Sequence, residues 1–147
     1  MSTYVSDSLR EQVALRAEGL CEYCLIAEED AYLGCQVEHI ISEKHDGPTE
    51  PENLAYACLY CNRYKGSDLG SVSRQTGVLV RFFNPRIDRW ADHFVLSNGL
   101  IVAKTEIGEC TARILRFNHP NRIQEREVLR SLGRYPNPAA ENRMYPA

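Results

Sequence analysis

The chain lacks any apolar run long enough to cross a bilayer, which excludes a membrane-spanning helix. Its polar opening, Met1-Ser2-Thr3-Tyr4, lacks the basic-then-apolar pattern of a secretory leader, so the expectation is a protein that stays in the cytoplasm where it is made. There is no internal repeat and no low-complexity block. There is also no excess of positive charge: 17 Lys and Arg face 20 Asp and Glu, for a formal charge of -3. A nucleic-acid surface, if present, must therefore be local. What is present in unusual number is cysteine, with six residues. Without a secretion signal these point to metal or free thiols rather than disulfides. At 147 residues the chain is expected to form one domain, with a modest core helped by a staple.

The charges are unevenly distributed. Between Glu22 and Glu52 they are almost all acidic, with Lys44 the exception, and from Arg63 onward they turn basic. That run can be a phosphate-binding surface, or a set of solvated helix faces where Arg122, Arg126, Arg130 and Arg134 alternate with Glu125 and Glu127. Arg86 and Arg89 fit either a DNA backbone contact or surface salt bridges.

Residues 8–20 read as an amphipathic helix capped by Asp7 or Ser8, with Glu11 in the capping-box position and Gly19 at its end. Residues 35–41 alternate as a strand. A polar loop with Asp46-Gly47-Pro48 as its turn follows, then a second short strand over 53–59. A helix is expected over 61–65, stopped by Gly66. The order strand, loop, strand, helix predicts a ββα unit. Further on, residues 77–83 read as a strand, and Asn98-Gly99 as a hairpin turn between the apolar pieces 90–94 and 100–103. Residues 111–118 and 123–132 read as helices broken at Pro120, and a frayed tail is expected from 136 to 147.

Cys21/Cys24 and Cys58/Cys61 form two Cys-x-x-Cys pairs, and each can supply half of a tetrahedral zinc site. The intervening residues 25–57 are longer than a short zinc ribbon needs, leaving room for a functional insert. Four thiolates fill the coordination sphere, so this zinc is expected to be structural. The alternative is two unrelated buried thiol turns. Cys35 and Cys110 lie outside the pairs and are expected as small buried hydrophobes.

Glu38-His39-Ile40-Ile41, Pro51-Glu52-Asn53-Leu54 and Cys58-Leu59-Tyr60-Cys61-Asn62-Arg63-Tyr64-Lys65-Gly66 resemble the HNH endonucleases, the ββα-metal nucleases. The Cys21-Glu22-Tyr23-Cys24 knuckle and the loop His45-Asp46-Gly47-Pro48-Thr49 are similar to the zinc-bearing bacterial branch. Phe83-Asn84-Pro85-Arg86, Trp90 and His93-Phe94 resemble a C-terminal extension of its small members.

The resemblance implies an α+β fold: a ββα-metal core over 21–66 stapled by Cys21, Cys24, Cys58 and Cys61, an N-terminal helix and an α/β extension over 77–132, together one domain spanning 1–135. It implies a DNA endonuclease in which His39 activates water, a role a neutral imidazole suits around neutral pH. Glu38 and Asn62 would hold Mg²⁺ or another divalent cation, which accepts such hard oxygen donors. Glu38 stands where most members carry Asp, and Asn62 where the second histidine of the name would be. Asn53 would pin the loop and orient His39. Lys65, three residues from Asn62, would meet the phosphate, with Arg63 and Arg86 as further nucleic-acid contacts and His45 as either a phosphate contact or a third metal ligand. His93 and His119 are expected to pack and to turn the chain. Two rival readings use the same residues: a zinc-stabilised nucleic-acid-binding module without catalysis, and a scaffold that kept the fold without the activity. RNA as substrate, the oligomeric state and any sequence preference stay open.

Overall fold

Helix α1, Asp7–Arg16, starts one residue earlier than expected. Ser6 is its cap, and its hydroxyl accepts from the Leu9 N–H at 3.1 Å. The helix also stops short of residue 20, because Glu18 and Gly19 both take left-handed backbone conformations. These elements come from a computed structural model that describes residues 4–147; the expectation for the opening residues Met1–Thr3 lies outside the described residues. Val13 and Ala17 pack α1 against Leu54 and Tyr56 on the back of the central hairpin.

That hairpin is β1, Cys35–His39, antiparallel to β2, Leu54–Cys58, with Cys35 opposite Cys58 and His39 opposite Leu54. Strand β1 ends two residues before the expected boundary. The Asn53 side chain, instead of a neighbouring strand, takes the backbone of Ile41. Helix α2, Leu59–Lys65, follows β2 without a loop, and Gly66 closes it in the left-handed region at φ 53°. The ββα unit is complete.

The second half adds two more hairpins and four helices. Strand β3, Gly70–Val72, pairs with β4, Leu79–Arg81; β5, Phe94–Ser97, pairs with β6, Leu100–Ala103, around Asn98-Gly99. The helices are α3 (Trp90–His93), α4 (Glu106–Ile114), α5 (Pro120–Ser131) and α6 (Pro138–Met144). The strand expected over 77–83 shrinks to three residues, because Phe82 and Phe83 turn into the core. Helix α4 begins earlier than expected, where the Thr105 hydroxyl accepts from Gly108 N–H at 3.0 Å. Pro120 opens α5 as its first residue, behind a His119 cap. The stretch expected to fray forms α6, capped by Asn137, with Tyr135, Ala140 and Met144 buried.

One hydrophobic cluster joins the two halves, running from the first cysteine knuckle through Phe83, Trp90, Phe94 and Phe117. Trp90 Nε1 donates to the Tyr23 carbonyl at 2.8 Å, and Tyr135 Oη to the Cys24 carbonyl at 2.8 Å. The second half therefore packs directly on the knuckle. The architecture is α+β, with three two-stranded antiparallel sheets among the described residues.

Candidate functional site

The ββα unit has a closed thiol end and an open groove end. At the closed end the Sγ atoms of Cys21, Cys24, Cys58 and Cys61 lie within 4.8 Å of one another, and all four side chains are buried. Cys24 Sγ and Cys58 Sγ are 3.8 Å apart. That matches the edge of a tetrahedron built on Zn–S bonds of about 2.3 Å. The tight knuckles are held by Cys24 N–H on Cys21 Sγ and Cys61 N–H on Cys58 Sγ, each at 3.5 Å. Burial pushes the Cys21 and Cys61 thiols well up, while hydrogen bonds from the other sulfurs, Cys21 first, hold Cys24 well down. Four thiols this close cannot all ionise unaided, and a dication among them removes the conflict.

Arg122 completes this end from α5. Its Nη2 lies 3.1 Å from Cys24 Sγ and 3.6 Å from Cys58 Sγ, and its Nη1 3.6 Å from Cys61 Sγ, with the guanidinium 5.4 Å from the Tyr60 ring centroid. A zinc tetrathiolate carries two net negative charges, and a buried arginine offsets one of them. The charge pattern left Arg122 either on a phosphate-binding surface or on a solvated helix face; it is on neither, being 5 % exposed.

At the other end, a groove of about 430 Å³ is lined by His39, Ser42, Glu43, Lys44, Asn62 and Ser67 among others. His39 Nε2 shares a hydrogen bond with Thr49 Oγ1 at 2.9 Å and lies 3.8 Å from Glu43 Oε1. Asn62 Nδ2 donates to Gln36 Oε1 at 2.8 Å, which turns the amide nitrogen toward β1. Asn53 ties the intervening loop together. Its Oδ1 accepts from Ile41 N–H, and its Nδ2 donates to the carbonyls of Ile41 and Pro48, all at 2.9 Å. Gly47 has to be glycine here, since a Cβ would lie 1.7 Å from the Ile41 carbonyl oxygen.

Glu38 also lines this groove, but its carboxylate is enclosed. Its carboxylate is buried, accepting from Tyr23 Oη through Oε1 and from Lys65 Nζ at 3.2 Å through Oε2. Lys65, 2 % exposed, also donates to the carbonyls of His39 at 3.2 Å and Ile40 at 2.9 Å, so all three ammonium donors are taken. Burial pushes the Glu38 carboxyl up, against the opposing pull of Lys65 and Tyr23. Glu38 and Lys65 both differ from the open placement expected for them: the Glu38 carboxylate is enclosed by Tyr23 and Lys65, and Lys65 braces the end of β1 from within. Arg86 is also reassigned: its guanidinium is paired with the buried carboxylate of Glu22. His45 and Arg63 are exposed, on the loop and on α2.

Two further residues matter that sequence reasoning passed over. Glu43 stands four residues after His39, in the 3-10 turn Glu43–His45 that follows β1 and brings it back toward the ring. Thr49 closes the loop His45-Asp46-Gly47-Pro48-Thr49, whose resemblance gives the threonine no role. Glu43 and Asn62 line the groove together and carry hard oxygen donors of the kind a divalent cation takes. Cys35 is half-buried and Cys110 fully buried, His93 packs edge-on against Phe83, and His119 caps α5.

Among the described residues no helix is long and apolar enough to cross a membrane. Residues 21–68, about a third of the chain, match the family model described as HNH endonuclease. No curated protein and no solved structure matches the chain. The cysteine frame, the β1–β2 hairpin and α2 are therefore an HNH domain at residues 21–68, set within a longer chain.

Proposed function

We propose that the groove beside His39 hydrolyses DNA phosphodiester bonds in the cytoplasm. The observation that supports this most is His39 itself: an imidazole at a groove wall, hydrogen-bonded to Thr49, with Glu43 at 3.8 Å and Asn62 lining the same groove. A neutral imidazole can take the proton of an attacking water. Glu43 then lies close enough to favour the imidazolium that results, and Thr49 fixes the ring's direction. Lys65 holds the carbonyls of His39 and Ile40 and Asn53 the backbone of Ile41, so the base is positioned by the fold. Asn62 and Glu43 would hold a divalent cation, which supplies positive charge to the phosphate oxygens and the leaving alkoxide. The Cys21, Cys24, Cys58, Cys61 cluster holds a structural zinc and takes no part in the reaction.

Zinc-loaded protein supplied with Mg²⁺ or Mn²⁺ is expected to relax supercoiled plasmid. His39→Ala should keep its zinc and its melting curve while losing at least about 100-fold in rate, the usual share of a general base. Undiminished cleavage by that variant overturns the assignment. If folded wild-type protein cleaves nothing with any divalent ion, the non-catalytic binding module replaces the nuclease.

A further inference from the structure

Most of the arginines that make the second half basic are occupied within the fold. Arg81 pairs with Asp88, Arg86 with Glu22 and Arg134 with Asp30, while Arg126 is buried against the carbonyls of Gly99 and Phe117. Arg74 and Arg116, with the partly occupied Arg113, are gathered at one place. They line one open groove of about 580 Å³ between β6 and α4, larger than the one beside His39. Its acid is Glu109, which pairs with Arg113 at 2.8 Å, so three guanidiniums face one carboxylate. Arg113 also donates to the Val72 carbonyl at 2.7 Å and braces the wall, whereas Arg74 and Arg116 are exposed at the rim. The floor is aliphatic, including Leu100, Val102 and Ala112.

Arg116 connects this groove to the HNH domain. It takes a left-handed backbone conformation, φ 54°, at the end of α4, and its guanidinium lies 4.8 Å from the centroid of the Tyr64 ring on α2. Successive residues step about 100° around a helix. Asn62 lines the hydrolytic groove, Tyr64 stands on the flank that meets Arg116, and exposed Arg63 lies on the crest between them. The two grooves thus flank one short helix, and Arg63 is the cation between them.

The geometry points to a phosphate-binding track for duplex DNA, formed by Arg74 and Arg116 in the second half and continued by Arg63 across α2 to the groove of His39. Planar guanidiniums at an open rim match backbone phosphates, and the aliphatic floor suits the sugar edges between them. The track is local, as a chain of net charge -3 requires of any polyanion-binding surface. That the bound strand is the one to be cleaved rests on the nuclease reading above. The binding itself does not.

The test is the affinity of a fluorescent duplex, read by anisotropy across a salt series with no divalent ion added, for wild type and for Arg63→Ala/Arg74→Ala/Arg116→Ala. Each of the three side chains is exposed, so zinc content should stay at the wild-type value and the melting temperature should fall only by the small share of the Arg116–Tyr64 contact. The slope of log affinity against log salt is expected to shallow by about 0.9 for each phosphate no longer neutralised, roughly two to three units in all, with at least a tenfold loss of affinity at low salt. Arg130→Ala, an exposed arginine in a cavity with Glu127 and Glu141, should bind as wild type does. A triple variant with wild-type affinity and slope, or an equal loss from Arg130→Ala, overturns the track. If wild type binds with the expected slope but cleaves nothing, the nuclease reading fails while the track stands.

Discussion

The two ends of helix α2 are built in opposite ways. At its first turn, Cys58 and Cys61 meet Cys21, Cys24 and Arg122 in a site that excludes solvent, and the Tyr135 hydroxyl and Trp90 indole close over the adjoining knuckle. At its last turns, Asn62 lines an open groove with His39, while Lys65, one turn on, is buried and braces the strand end that carries His39. The molecule thus places its tightest polar network behind the groups proposed to react. Order at the groove comes from backbone held from behind, and the reactive side chains stay accessible.

This contrast can be broken most severely at the thiol end. Removing zinc with a chelator, or Cys58→Ser, is expected to abolish cooperative unfolding of the whole chain, second half included, because α5 and the Trp90 and Tyr135 side chains are anchored on the knuckle. Thermal melts followed by near-ultraviolet circular dichroism, which sees the aromatic cluster, check it. A second half that keeps its native melt without zinc would show that its packing on the knuckle is incidental. A smaller effect is expected from Lys65→Met. It leaves the Glu38 carboxylate buried without its counter-charge and two carbonyls without a donor, a loss of about 3–5 kcal/mol on the scale for breaking one side of a buried pair. Denaturant unfolding measures it; a cost below about 1 kcal/mol would match a surface pair instead of a buried one.

Much of the HNH domain was legible in the sequence. The cysteine spacing, the turn at Asp46-Gly47-Pro48 and the alternation in β1 mark the zinc frame, the loop and the strand, and Asn53 pins that loop. What strand alternation could not supply is what each face meets. Glu38 and His39 necessarily point apart, but the partners that enclose Glu38 come from Tyr23, 15 residues away, and Lys65, 27 away. Arg86 looked like a surface cation because its partner, Glu22, is 64 residues distant. Strand β3 is three residues starting at a glycine, too short to show a period, and its pairing depends on β4. The terminal helix α6 was hidden by Pro136, Asn137 and Pro138. These residues suggest coil, yet Asn137 and Pro138 are also an ordinary helix cap and first position.

The division between an enclosed Glu38 and an open groove is tested most directly by the divalent-ion concentration needed for half-maximal plasmid cleavage in Glu43→Gln and in Glu38→Gln, each first shown to be folded and zinc-loaded. Glu43→Gln is expected to raise the requirement by about tenfold or more, on the scale of about 1.4 kcal/mol per tenfold for a weakened ligand. Glu38→Gln is expected to lower stability and leave the requirement at the wild-type value. A folded Glu38→Gln that needs far more cation, beside a Glu43→Gln that does not, would contradict this division and restore Glu38 as the cation's carboxylate.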